Sequence, residues 1–156
     1  MSINAEVIQN WLVAISLVVT TIVTIIIQIS ANRNNQKEFL DKQLIELQRI
    51  SFYDPFLEDE DFTNQWNQMK EKYRSGNLDK ESRNNFLKYD VYTEMLFNFI
   101  EMSFNVYKTE RDLLNYVDLK SWIRKHQQCW QNPLQDHSNR EVYGNKICDM
   151  VDNWIK

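Results

Sequence analysis

A run of nineteen uncharged residues, WLVAISLVVTTIVTIIIQI from Trp11 to Ile29, limits what this chain can become more than any other feature. As a helix it extends about 28 Å at about 1.5 Å per residue, close to the roughly 30 Å hydrocarbon core of a bilayer. Twelve of the nineteen are Ile, Val or Leu. At about −0.3 to −0.6 kcal/mol each, they favour insertion by several kcal/mol. The Ser, Thr and Gln residues offset part of that gain, but a hydroxyl returned to its own helix backbone keeps the cost small.

Such a run can be an export signal, a buried core helix or a permanent anchor. A signal needs a positive amino-terminal region, a shorter apolar core and a small-residue cleavage site. Here MSINAEVIQN has no Lys or Arg, Glu6 is acidic, the run is too long and ISA makes a poor cleavage site. The expectation is a permanent anchor over residues 1–32. Arg33, Lys37, Lys42 and Arg49 follow the span and no Lys or Arg precedes it. Positive residues stay on the cytoplasmic side, so the amino terminus should face out and the remainder the cytoplasm, at the plasma (inner) membrane. Trp11 stands where an outer-interface aromatic would. Ser16, Thr20, Thr24 and Gln28 recur every four residues on one face. Small or polar residues at that spacing let transmembrane helices approach and hydrogen-bond. The stripe is a candidate face for self-association or for a membrane partner; the alternative is a lone helix whose hydroxyls bond its own backbone.

Beyond the span the chain is polar, aromatic and very short of turn residues, with two glycines and two prolines in 156 residues. Sheets need turns that favour Gly and Pro, so the expectation is all-α: a stalk helix over 33–51 and a cytoplasmic body of four or five helices over 52–156. Leu40, Leu44 and Leu47 form an amphipathic stripe that should pack on the protein's own body. Asp54 and Pro55 signal a helix start, with Glu58, Asp59, Glu60 and Asp61 suiting its positive end. Phe62, Trp66, Met69 and Tyr73 continue that helix to Gly76. The next is expected from Asp79 to about Lys108, apolar around most of its circumference. Thr109 with Asp112 and Ser138 with Glu141 read as capping pairs. Leu119, Trp122, Ile123, His126 and Trp130 share a face, and Tyr143, Ile147, Met150 and Trp154 form the last stripe.

The formal net charge is −4 with both signs scattered and no basic block, so nucleic acid is not an expected partner. Phosphate-loop, dinucleotide and nucleophile-elbow patterns are absent, which removes most nucleotide enzymes. The acids at 58–61 lack the calcium-loop spacing. His126, Cys129, His137 and Cys148 lack the paired spacing of a structural zinc site, and no cofactor is expected. Cys129 and Cys148 read as reduced thiols, and His126 as a core histidine with no acid beside it in sequence. The one polar constellation in the apolar helix is Glu94, Asn98, Glu101 and Asn105. It is read either as that helix's solvated side or as a polar face for a partner or ligand. Metal or acid–base chemistry there would lack the His that carboxylate bundle sites use.

The anchor followed by NRNNQ, together with LFNFIEMSFNVYK and WIRKHQQCWQNP, resembles uncharacterised bacterial single-pass membrane proteins with a small cytoplasmic all-helical domain. The resemblance implies a fold and a location but no activity. The expected function is a non-enzymatic, membrane-anchored interaction or regulatory protein touching the bilayer and a protein partner. The alternative is an oligomerising membrane effector, defence- or toxin-like, acting through its transmembrane helix.

Overall fold

The structure, a computed structural model, describes the backbone of residues 5–156 and the side chains from residue 15 onward. The expected interface position of Trp11 lies outside the described side chains. The fold is all-α, with no strand among the described residues. The chain divides into two compact units at Phe39/Leu40.

Helix α1 runs from Ala5 to Tyr53. In the first unit, its apolar segment is a candidate membrane span: the most apolar window has a mean hydropathy of 1.9 and none of it is buried. Ile15, Leu17, Val18, Val19, Ile22, Ile26, Ile27 and Ile29 all lie exposed.

The second unit starts within the expected stalk. Leu40 and Leu47 are sealed into the body's core, and Leu44 and Ile50 pack against it. The leucine stripe therefore covers the protein's own body. Burying each leucine contributes about 1.5–3 kcal/mol, enough to fix this end of α1 as part of the domain. Asp41 adds a polar tie, accepting the Tyr116 hydroxyl at 2.6 Å.

The helix expected from Asp54 to Gly76 is broken into three pieces. Pro55–Glu58 is a 3-10 turn, α2 is Glu60–Thr63 and α3 is Trp66–Arg74. Asp54 does not cap the turn; its carboxylate takes Lys88 Nζ at 2.9 Å instead. Asp59 is the working cap, accepting Phe62 N at 2.9 Å. Its extended backbone restarts the helix and turns Leu57 and Glu58 toward the core. Gly76 (φ +75°) follows α3 with open space around its missing Cβ, so backbone conformation alone selects glycine there.

The central helix α4 spans Lys80–Tyr107, capped by Asp79 at Ser82 N and ended by Lys108 in the left-handed region. It buries Phe86, Tyr89, Tyr92, Leu96, Phe97, Phe99 and Ile100 on several sides. Trp66 stacks on Phe86 at 4.7 Å, and Phe97 meets the edge of Trp130 at 5.1 Å. Around α4 lie α5 (Glu110–Tyr116), α6 (Leu119–Lys125), α7 (Gln127–Gln131), α8 (Asn139–Val142) and α9 (Asn145–Ile155). The expected helix through DLKSWIRKHQQCW is split at His126, whose backbone leaves the helical region (φ −99°, ψ 17°). Ser138 and Glu141 form the expected capping box.

The aromatic core keeps its polar handles satisfied, as buried indoles must. Trp66 donates to Asn132 O (2.7 Å), Trp122 to Glu58 (2.7 Å), Trp130 to Asp152 (2.9 Å) and Trp154 to Glu110 (2.6 Å).

Candidate functional site

Two polar centres are built on α4. The first gathers around Glu58, which the 3-10 turn points inward. Its Oε1 accepts the Tyr92 hydroxyl (2.5 Å) and Trp122 Nε1 (2.7 Å), and its Oε2 accepts Lys125 Nζ (2.9 Å). His126 Nε2 lies 3.3 Å from Oε1, and Nδ1 of the same ring is 2.8 Å from the Tyr89 hydroxyl. Burial works to raise the Glu58 pKa. Hydrogen bonds from His126, Tyr92 and Lys125 outweigh it and hold the carboxyl well below the usual carboxylate range. The Tyr92 hydroxyl is pushed the other way, by burial and by the Glu58 charge. His126 thus has an acid beside it in space that is distant in sequence. Even so, its ring is completely enclosed (0 % exposed) and both nitrogens are engaged. The arrangement ties the 3-10 turn, α4 and α6 together and leaves no face of the ring for a substrate.

The second centre is a cavity of about 220 Å³ on another side of α4. Asp90, Thr93, Glu94, Phe97 and Asn98 line it from α4 and Cys129 from α7, and the 133–137 loop, Asn139 and Val142 of α8 and Tyr143 complete it. The loop is held by Lys70, a nearly buried lysine on α3 whose Nζ reaches Asn132 Oδ1 at 2.6 Å and Pro133 O at 2.5 Å. Burial pulls the Lys70 pKa down.

Asp90 is buried, and burial together with the charge of Glu94 one turn away pushes its pKa up to about 6. The Tyr143 hydroxyl is pushed up to about 12 by burial, then by Glu94 and Glu101. Cys129, 3.0 Å from Thr93 Oγ1, is pushed up to about 12 by burial. It is therefore a thiol at neutral pH and a poor nucleophile.

The expected polar stripe divides between different surroundings. Glu94 and Asn98 line this cavity. Glu101 accepts Gly144 N at 3.2 Å, anchoring the start of α9. Asn105 is exposed. On the apolar segment, Thr20 Oγ1 donates to Ser16 O and Thr24 Oγ1 to Thr20 O, each at 2.8 Å. The threonines of the Ser16, Thr20, Thr24, Gln28 stripe thus spend their protons inside their own helix. The four residues considered for zinc are dispersed. His126 is held at Glu58, Cys129 at Thr93 and His137 at the cavity rim, while Cys148 lies near Asn139 O and Tyr143 O. Among the described residues, no three His, Cys, Asp or Glu side chains gather to hold a metal.

Sequence reasoning missed Glu58, Asp90 and Tyr143. Asp90 left a signal: an acid inside an apolar run, one helical turn before Glu94. Glu58 and Tyr143 left none, one lying in an acidic cluster and the other in an ordinary aromatic stripe. No protein family, curated protein or solved structure matches the chain.

Proposed function

We propose that this protein is a single-pass, membrane-anchored, non-enzymatic interaction or regulatory protein that holds its helical body at the cytoplasmic face of the plasma membrane. The observation that carries the reading is the apolar segment of α1, whose Ile, Val and Leu side chains are uncovered from Ile15 to Ile29. A bilayer removes that surface from water; nothing within the first unit does. Lys and Arg confined to the carboxyl-terminal side favour the body-inside orientation.

A role in contact rather than catalysis fits the body's chemistry. The enclosed His126 ring and the high thiol pKa of Cys129 both weigh against acid–base or nucleophilic work. The body also leaves large side chains uncovered. Phe52 and Tyr53 at the end of α1 are 79 % and 75 % exposed, and Val91 on α4 stands beside a shallow groove lined by Ile50, Leu57, Leu87 and Met95. Apolar surface rimmed by polar groups suits a protein partner.

Alkaline carbonate extraction, followed by protease protection of a carboxyl-terminal tag in intact cells, tests the reading. The expected result is a membrane pellet with a protected tag. A soluble full-length chain, or a tag digested from outside, overturns it. The alternative of an oligomerising membrane effector draws on the Ser16–Gln28 stripe. The backbone-bonded Thr20 and Thr24 hydroxyls support the lone anchor instead.

A further inference from the structure

The cavity beside α4 contains more polar demand than its own residues meet. Asp90 is 7 % exposed and Tyr143 8 %. Among the described residues neither the Asp90 carboxylate nor the Tyr143 hydroxyl has a hydrogen-bond partner. Among the described residues Ser103 Oγ is the one side-chain polar atom both sealed and unbonded, so the Asp90 and Tyr143 oxygens open onto the cavity they line. Buried polar groups are normally bonded, and a carboxylate left bare in low dielectric is costly. Lys70, the cation whose charge acts on Asp90, is committed elsewhere: its ammonium is spent on Asn132 and Pro133 oxygens.

What fits such a space is constrained by charge, shape and size. Asp90 and Glu94 sit one helical turn apart on the same wall, giving two anionic acceptors that face one guest. The Asn98 amide oxygen and the Tyr143 hydroxyl add neutral acceptors. The rings of Phe97 and Tyr143 form apolar walls that can also attract a cation through their faces. A divalent metal would want more hard ligands than the two carboxylates present. A volume of about 220 Å³ is below the roughly 300–1,000 Å³ of drug-sized pockets, which restricts the guest to a few carbon atoms. A primary ammonium carries three donors and one charge, matching two carboxylates and a neutral oxygen.

We infer that this cavity binds a small organic ammonium ion, its NH₃⁺ seated between Asp90 and Glu94 and its carbon chain against Phe97 and Tyr143. The inference goes beyond membrane anchoring and is independent of it: it concerns only the body formed from Leu40 onward. In the proposed regulatory protein, it gives the body a chemical signal to respond to.

The test is calorimetric titration of the full-length protein in detergent micelles at constant ionic strength. The probes are butylamine, 1,4-diaminobutane, N-acetyl-lysine methylamide, 1-butanol, MgCl₂ and CaCl₂. Butylamine or the diamine should bind and 1-butanol should not. Asp90→Asn and Glu94→Gln should each weaken the amine by about ten-fold or more, the scale of a charge-assisted hydrogen bond. Glu94 is exposed, so its substitution keeps the fold even where Asp90→Asn disturbs it. A lysine derivative that binds as well as butylamine assigns the guest to a protein lysine side chain; weaker binding assigns it to a free amine. Affinity should fall as pH drops through about 6, where Asp90 takes a proton. The other titratable groups at the cavity are Glu94 on α4, Cys129 on α7, His137 in the loop and Tyr143, with Lys70 of α3 behind them. A His137→Gln variant serves as the control for the loop side of the cavity. Four results would overturn the inference: no amine binding up to about 10 mM, a range that includes any site with a Kd of about 1 mM or tighter; equal binding of 1-butanol; tighter binding of either metal ion; or amine affinity untouched by both substitutions.

Discussion

Glu58 and Asp90 are two carboxyls on the same small body with opposite surroundings. Glu58 receives hydrogen bonds from Tyr92, Trp122 and Lys125 and lies against His126. Asp90 is the more enclosed of the two and receives none from a side chain. Environment moves their pKa values apart, Glu58 down and Asp90 up. The contrast separates two uses of an acid drawn into the body. Where donors are built around the carboxylate, it fastens elements together. Where a cavity is built around it, it stays available to something from outside.

The largest effect that could break this contrast is at Glu58. Glu58→Ala leaves Trp122 and Lys125 without their acceptor and His126 without its acid. Glu58 is half-buried and Lys125 exposed, so losing its charge-assisted hydrogen bonds costs about 1.5–3 kcal/mol. Urea unfolding followed by tryptophan fluorescence should show that loss. A cost below about 1 kcal/mol would mean that Glu58 is an ordinary surface acid, as surface pairs are worth no more.

Asp90 should respond with the opposite sign. Asp90→Asn removes a carboxylate that is uncomfortable when charged, so the empty protein should gain about 1–2 kcal/mol at pH 7. The gain should vanish near pH 4, where Asp90 is protonated in the folded chain anyway. Destabilisation at pH 7 would show instead that the carboxylate has a protein partner.

The same pair shapes the pH dependence of stability. A raised folded pKa means that the folded chain binds the Asp90 proton more readily than the unfolded one. That contribution makes stability rise as pH falls from about 6 toward 3.8. Glu58, with its lowered folded pKa, contributes stability that is present above its ordinary 4.5 and lost as pH falls below it. The urea midpoint should therefore pass through a maximum a little above pH 4, where the two slopes cancel. Asp90→Asn should flatten the neutral side and Glu58→Gln the acid side. A midpoint that changes equally in both variants across the range would dissolve the distinction between them.

The sequence shows some of this and hides the rest, for physical reasons. The ends of α4 were legible because a cap is local: Asp79 sits three residues from the amide it caps, and Lys108 follows the last apolar turn. The leucine stripe at 40, 44 and 47 was legible because its spacing is the helix period. The three-piece break after Asp54 was not, because Asp54 and Asp59 are equally good caps on paper. Only the capture of Asp54 by Lys88, 34 residues away, decides between them. Glu58 meets Trp122 and His126 across 64 and 68 positions, and no periodicity reports contacts at that range. Asp90 left a signal that was passed over, an acid one helical turn before Glu94 in an apolar helix. Its burial depends on the loop that Lys70 holds in place, which lies more than forty residues downstream.

Two tyrosines give the finest test of the contrast, since each loses only a hydroxyl on mutation to phenylalanine. The Tyr92 hydroxyl donates to Glu58 at 2.5 Å. Tyr92→Phe should cost about 1.5–3 kcal/mol, the range for a hydrogen bond to a charged group. The Tyr143 hydroxyl faces the cavity without a protein partner, and its ring keeps its contacts with Phe97 and Trp130 after substitution. Tyr143→Phe should therefore change the stability of the empty protein by less than about 0.5 kcal/mol. Equal costs at the two sites would mean that the Tyr143 hydroxyl has found a partner inside the body. The cavity would then be a satisfied part of the core, and the bare acid beside it would lose its claim to be waiting for a guest.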